Sequence, residues 1–85
     1  MATYSYRDSV LEELARHGVH PDSSTSPELV REFVNDLYLI EVRRLRSEFL
    51  AGLIAKSDYA GRVDALRRQY PVLSLPIRFW ADVIE

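Results

Sequence analysis

The longest stretch without a helix breaker runs from Pro27 to Ala51, which is 25 of the 85 residues. At 1.5 Å per residue a helix of that length spans about 38 Å. A compact domain of this size has a radius of gyration of about 12 Å, and hence a diameter of about 30 Å. We therefore predict a helix over 27–51 that is as long as the whole domain. Either the helix bends, or its end projects beyond the domain and must be covered by something else.

The segment Thr25-Ser26-Pro27-Glu28 marks the start of this helix in either of two ways. Ser26 is the N-cap with Pro27 in the first helical position, or Thr25 is the N-cap and Glu28 closes a capping box. Gly52 ends the helix. A third helix is predicted over 56–69, and it would fold back on the second as an antiparallel hairpin.

The elements predicted for the two ends of the chain are also helices, so the predicted fold is all-α. A first helix over 7–17 is expected to stop at Gly18, with Val19 folding back on Leu14. A fourth helix over 76–84 would place Ile77, Trp80 and Ile84 on one face. A strand in this tail is disfavoured, because no second strand is evident for it to pair with and Pro76 would interrupt it. The fold class is a single domain over 1–85, all-α, with three to four helices.

Composition removes several classes of protein. The absence of Cys excludes disulfides, thiolate zinc sites and cysteine nucleophiles. Leu, Ile, Val and Phe account for 26 of 85 residues, which is too many for a globally disordered chain. No uncharged apolar run approaches the ~20 residues that span a bilayer. The first eight residues hold no apolar signal core, so we expect no membrane contact and a cytoplasmic location.

Residues 44–68 read RLRSEFLAGLIAKSDYAGRVDALRR and resemble the helical hairpin of the SHOCT (short C-terminal) domain family. In that family a Leu-rich helix ends at Gly, an Ile follows, and an acidic first turn leads to an aromatic residue and then Leu. The matching positions here are Gly52, Ile54, Asp58, Tyr59 and Leu66. This chain departs from the family at Ala55, where Thr or Ser is usual, and in its Arg-rich third helix. The resemblance implies a small association module rather than a catalyst.

Catalytic and metal-binding patterns are weak. His17 and His20 lie three residues apart, but Gly18 breaks the helix between them and no third strong ligand is obvious, so no metal is expected. Turn and cap chemistry explains the run of hydroxyl residues at 23–26. The chain contains no P-loop, dinucleotide fingerprint or Gly-x-Ser-x-Gly motif. We therefore predict a non-enzymatic protein without a cofactor.

Glu41 is a candidate buried polar residue. On a helical wheel it falls inside an apolar stripe formed by Val30, Val34, Leu37, Tyr38 and Leu45. A buried carboxylate needs a partner or takes up a proton. We expect Glu41 to reach the edge of the stripe and pair with Arg44 or with an arginine of the third helix. The alternative is a polar specificity device at an interface.

Apolar residues outside the stripe predict a protein-interaction module, either a homodimer or a module for another protein partner. The candidate interface residues lie on the far side of the long helix and in the tail: Leu39, Leu50, Ile54, Ile77, Phe79, Trp80, Val83 and Ile84. Residues 43–68 carry a net charge of +4 and the rest of the chain −6, a split that two copies would complement.

The alternative is a polyanion- or nucleic-acid-binding module that uses the arginines of the hairpin. The candidate residues are Arg43, Arg46, Arg62, Arg67 and Arg68. An overall pI of about 5.6 and the acidic residues among these arginines weigh against it, since both reduce the net attraction for phosphates.

Overall fold

The computed structural model describes residues 2–84 and is mainly helical, with one small sheet. In chain order it contains a strand, three helices, two short 3-10 turns and a second strand. The bounds are β1 Thr3–Tyr6, α1 Asp8–Ala15, α2 Pro27–Leu50, α3 Lys56–Arg68, the 3-10 turns Pro71–Ser74 and Ile77–Phe79, and β2 Ala81–Ile84. The three predicted helices of the N-terminal 70 residues are present, and the purely α-helical prediction is wrong at the two ends of the chain.

The long helix α2 begins by the first of the two mechanisms proposed. Ser26 is the N-cap, and its Oγ accepts a hydrogen bond from the Leu29 N–H at 3.3 Å. The helix ends because Gly52 adopts a φ of +79°, which lets the Leu53 N–H donate to the Glu48 carbonyl at 2.9 Å. The molecule measures 52 × 18 × 17 Å with a radius of gyration of 15.6 Å. It is therefore elongated along the long helix.

Helix α1 ends as the sequence predicts. Gly18 has a φ of +73°, and the Val19 N–H donates to the Leu14 carbonyl at 3.0 Å. This left-handed residue turns the chain back toward α2. The helix itself is shorter than predicted, spanning Asp8–Ala15 rather than 7–17.

The predicted helix over 76–84 is wrong. The tail instead forms the 3-10 turn Ile77–Phe79 and then β2, which pairs antiparallel with β1 from Thr3↔Ile84 to Tyr6↔Ala81. The partner strand lies at the opposite end of the sequence, where Thr3–Tyr6 alternates exposed and half-buried residues. Alternation of this kind is typical of a strand with one buried face. The tail is a strand because folding brings the two chain ends together.

The core lies at the N-terminal end of α2 and surrounds the fully buried Trp80. The indole Nε1 donates to the Leu75 carbonyl at 3.0 Å, so its polar atom is satisfied. The other buried members of this cluster are Val10, Leu14, Val30, Val34, Leu66, Tyr70 and Val72. No residue of α2 after Val34 is buried among residues 2–84. The C-terminal part of α2 therefore extends beyond the core.

Helix α3 contacts α2. The Phe49 ring meets the Tyr59 ring edge-on at 4.3 Å, close to the turn between the helices. Farther along, the Tyr38 ring meets the Tyr70 ring edge-on at 5.3 Å. One side of the projecting helix is thus partly covered, and the other side is open.

Candidate interaction surface

Helix α2 has a second apolar face, directed away from the core. Five large apolar side chains on this face are between 37% and 72% exposed: Leu29, Phe33, Leu39, Ile40 and Leu50. At about 100° per residue they fall within a sector of about 120°, opposite Val30 and Val34. We call these five residues the outer face of α2. Contiguous exposed apolar surface on a soluble protein commonly marks an interaction site.

Charged residues on the same side of α2 are sorted by sign along the helix. Glu32 and Asp36 lie in its first half, and Arg43 and Arg46 lie in its second half, all of them exposed. The ion pairs of the described chain involve other residues: Arg16–Glu13, Arg44–Glu48 and Arg68–Asp64. Both the acidic and the basic half of this side are therefore available to a partner.

The two ends of the outer face differ in shape. At its start, Leu29 and Phe33 border an open groove of about 690 Å³, whose other wall includes Val19 and Pro21 from the loop after α1. At its end, Leu50 and Leu53 project into solvent with 72% and 76% of their surface exposed. One end of the face is concave and the other end is convex, and both are apolar.

The structure separates the predicted interface residues. Leu39 and Leu50 are exposed on the outer face, whereas Ile54 and Trp80 are 5% and 0% exposed. These last two are core residues within the chain, so assigning them to an open surface is wrong. The tail folds onto α1 and α2 as 3-10 turns and a strand, which buries Trp80, whereas Ile54 is buried in the turn between α2 and α3.

The other tail candidates lie outside α2, and Ile77 borders a groove with Glu28 and Glu32 of that helix. Ile77 and Phe79 are half-buried, and the Phe79 ring lies under two guanidinium groups, with centroid distances of 5.3 Å to Arg7 and 4.8 Å to Arg78. Val83 and Ile84 are exposed on β2.

Sequence reasoning missed Leu29, Phe33 and Ile40. Their spacing of four and seven residues is a helical pattern, and it was available in the sequence.

Glu41 is exposed, and the prediction that it is a buried polar residue is wrong. Its carboxylate accepts a hydrogen bond from the Tyr70 hydroxyl. Within residues 2–84 Glu41 forms an ion pair neither with Arg44, which pairs with Glu48 at 3.4 Å, nor with an arginine of α3. Glu41 thus reaches the edge of the apolar stripe as expected, but its partner is the hydroxyl of Tyr70, which follows α3 in the chain.

Tyr70 joins α1, α2 and the chain after α3. The His17 ring stacks on the Tyr70 ring with centroids 4.1 Å apart, and His17 Nε2 lies 2.8 Å from the Gln69 carbonyl oxygen. His17 therefore has a packing role at the end of α1. Within residues 2–84 no group of three His, Asp or Glu side chains is arranged to hold a metal ion.

Two partly buried tyrosine hydroxyls make the free energy of unfolding depend on pH in the alkaline range. Burial, with the hydrogen bond to Glu41 and its charge, raises the pKa of Tyr70 from 10.0 to about 12. Burial, with nearby acidic groups, raises the pKa of Tyr6 from 10.0 to about 12; its hydroxyl donates to the Thr25 carbonyl at 2.5 Å. Both groups hold their proton more tightly in the folded chain than in the unfolded chain.

We therefore expect the contribution of these two tyrosines to be complete below pH 10.0 and lost as the pH rises toward about 12. Urea unfolding at a series of pH values measures this loss. In Glu41→Gln the negative charge is gone, so Tyr70 should titrate at lower pH in an ultraviolet absorbance titration, while burial still holds its pKa above 10.0. A stability that stays constant over this range would contradict the prediction.

The five candidate polyanion-binding arginines do not form one patch. Arg43 and Arg46 lie on the outer side of α2. Arg62 borders a groove that also contains Glu41 and Glu48. Arg67 borders a different groove, beside Tyr38 and Tyr70, and Arg68 Nη2 lies 2.8 Å from Asp64 Oδ2. Helical spacing turns the α3 arginines in different directions, which lowers the density of positive charge on any one surface.

Comparison with known proteins identifies no relative. No protein family, no curated protein and no solved structure matches the chain. The similarity of residues 44–68 to the SHOCT hairpin stays a prediction. Within residues 2–84 no helix is both long enough and apolar enough to cross a membrane.

Proposed function

We propose that this chain is a non-enzymatic, cytoplasmic protein-interaction module that binds through the outer face of α2. The observation that carries the proposal is the row of exposed apolar side chains on one side of a helix whose other side meets the core. A helix that only closes a core needs one apolar stripe. A second stripe exposes apolar area to water without a gain inside the monomer, and a bound partner removes that cost.

The support behind this face is consistent with a binding role. We propose that α2 and α3 act as an antiparallel hairpin, for which the Phe49–Tyr59 contact near the turn and the Tyr38–Tyr70 contact at the far end are the supporting observations. A helix held along its length on one side presents its other side with little conformational entropy left to lose. Such preorganisation favours affinity.

The test is a polar substitution in the outer face. Ile40 is 59% exposed, so Ile40→Glu should leave the fold intact by circular dichroism and weaken binding by tenfold or more, because it places a charge at the apolar centre of the face. Val83→Glu, at a residue 60% exposed on β2, is the matched control. Sedimentation of the purified chain and affinity capture from native cells measure self-association and binding to other proteins.

The proposal fails if wild-type chain is monomeric and captures no protein that Ile40→Glu loses and Val83→Glu retains. The polyanion alternative has its own signature, because phosphate binding weakens steeply with added salt. Binding of mixed nucleic acid at low salt, abolished by Arg43→Glu and unaffected by Ile40→Glu, would favour that alternative.

A further inference from the structure

We infer that the partner of the outer face is a second copy of this chain, packed antiparallel along α2. The inference rests on the proposed function and adds the occupant and its register. A two-fold axis would cross the helix pair between Leu39 and Ile40, so that residue n of one copy faces residue 79 − n of the other. Three features of the outer face support this arrangement.

The first feature is the sorting of charge. Glu32 and Asp36 are four residues apart, and Arg43 and Arg46 are three apart, so each pair places like charges side by side on one helix surface. None of the four has an ion-pair partner in the described chain. In an antiparallel pair each acidic half lies against the basic half of the other copy. Both unfavourable clusters are then neutralised at once.

The second feature is the register that these charges share with the apolar residues. When Asp36 faces Arg43 of the second copy, Leu29 faces the second copy's Leu50 and Leu39 faces its Ile40. Glu32 then lies beside the second copy's Arg46 and Ser47. Four of the five outer-face residues thus meet apolar residues, and Phe33 faces the second copy's Arg46, whose guanidinium can lie over the ring. A shift of three residues places Glu32 against Leu50 or Asp36 against Ile40, according to its direction, and a shift of four residues in the second direction places Asp36 against Leu39.

The third feature is shape. The register places the convex end of one copy, Leu50 and Leu53, at the groove of the other copy beside Leu29 and Phe33. Because the contact is isologous, the same insertion occurs twice. A single contact thus accounts for two highly exposed leucines and for the open groove, whose lining also includes Glu32 and Asp36.

A parallel pair does not fit the same residues. It would place Asp36 against Asp36 and Arg43 against Arg43, since equal positions face each other in a parallel in-register pair. Like charges in direct opposition are unfavourable. The charge pattern therefore selects the antiparallel orientation.

Charge reversal tests the proposed pair. In sedimentation velocity over a dilution series, we expect a wild-type dimer whose dissociation constant rises about tenfold in Asp36→Arg and about tenfold in Arg43→Asp, because each change affects two symmetric contacts. The double variant Asp36→Arg/Arg43→Asp should return to within about threefold of wild type. Glu12→Arg, which makes the same charge change on exposed α1 surface, should leave the constant unaltered.

A distance measurement tests the orientation independently. The chain has no cysteine, so Ala51→Cys carries a single spin label at an exposed position. Residue 51 faces residue 28 in the proposed register, so two labels are separated along the axis by about 35 Å, at 1.5 Å for each of 23 residues. A parallel pair would hold them about 10 Å apart.

Restoration by the double variant and the long label distance would support the inference. A short label distance, or no rescue in the double variant, would overturn the antiparallel register. A chain that is monomeric at every concentration would overturn the second copy as partner. In that last case the proposed function still stands if another protein is captured by wild type and lost in Ile40→Glu, so the two failures are distinguishable.

Discussion

Trp80→Ala is expected to lower the free energy of unfolding by about 3–5 kcal/mol, the usual cost of deleting a large aromatic side chain from a core. Trp80 has no exposed surface and packs among residues of α1, α2 and α3. Its loss opens a cavity where these elements meet and leaves the Leu75 carbonyl without its donor at 3.0 Å. Small domains are typically stable by only ~5–15 kcal/mol. The variant should therefore be partly unfolded at moderate temperature.

Urea denaturation followed by circular dichroism measures this loss. Val83→Ala is the control, because Val83 also lies in the apolar tail but is 60% exposed; we expect a change within about 0.5 kcal/mol. Trp80→Phe should fall between the two, since it keeps an aromatic ring but loses the Nε1 donor. A loss below about 1 kcal/mol in Trp80→Ala would contradict the burial of this side chain in the monomer.

Asp82→Pro is expected to destabilise the fold by about 1–3 kcal/mol more than Val83→Pro, since it alone removes a ladder hydrogen bond. The Tyr4 N–H points away from β2, donating to the Ser23 carbonyl at 2.7 Å, while the Arg7 N–H donates to the Trp80 carbonyl at 3.0 Å. The alternation of an antiparallel ladder then directs the Asp82 N–H toward β1 and the Val83 N–H toward the open edge.

The two proline variants form a matched pair. Both impose the same φ restriction on neighbouring positions of one short strand, so the difference between them reports the hydrogen bond to β1. Urea midpoints at equal protein concentration give this difference. Equal effects would show that β2 is not paired with β1 in the stated register, and a larger effect of Val83→Pro would indicate pairing shifted by one residue.

Local signals were sufficient for the helical part of the fold. Ser26 followed by Pro27 predicts the start of α2, and Gly18 and Gly52 predict the ends of α1 and α2. Both glycines adopt a positive φ. These signals act within a few residues, because a cap or a left-handed turn satisfies backbone groups of its own helix. The choice between Ser26 and Thr25 as N-cap requires the structure, since both residues carry a hydroxyl close to the first backbone amides of α2.

The candidate site was only partly predictable. Spacing along a helix predicts which residues share a side, and Leu39 and Leu50 were identified in this way. It does not predict which side the rest of the chain covers. Trp80 and Ile54 carry the same apolar signal as Leu50, yet the first two are buried and Leu50 is 72% exposed.

The amino-acid sequence alone therefore accounts for three helices and their ends. It also accounts for the length of α2, which extends beyond the core. Only the tertiary structure decides whether the tail forms a helix or a strand. A strand requires a partner, and the partner of Ala81–Ile84 is Thr3–Tyr6, nearly the whole chain away. No local pattern reports a pairing across such a distance, because it depends on where α1 and the tail place the two chain ends. Likewise Glu41 finds Tyr70 rather than Arg44 because packing of α3 on α2 brings that hydroxyl within reach.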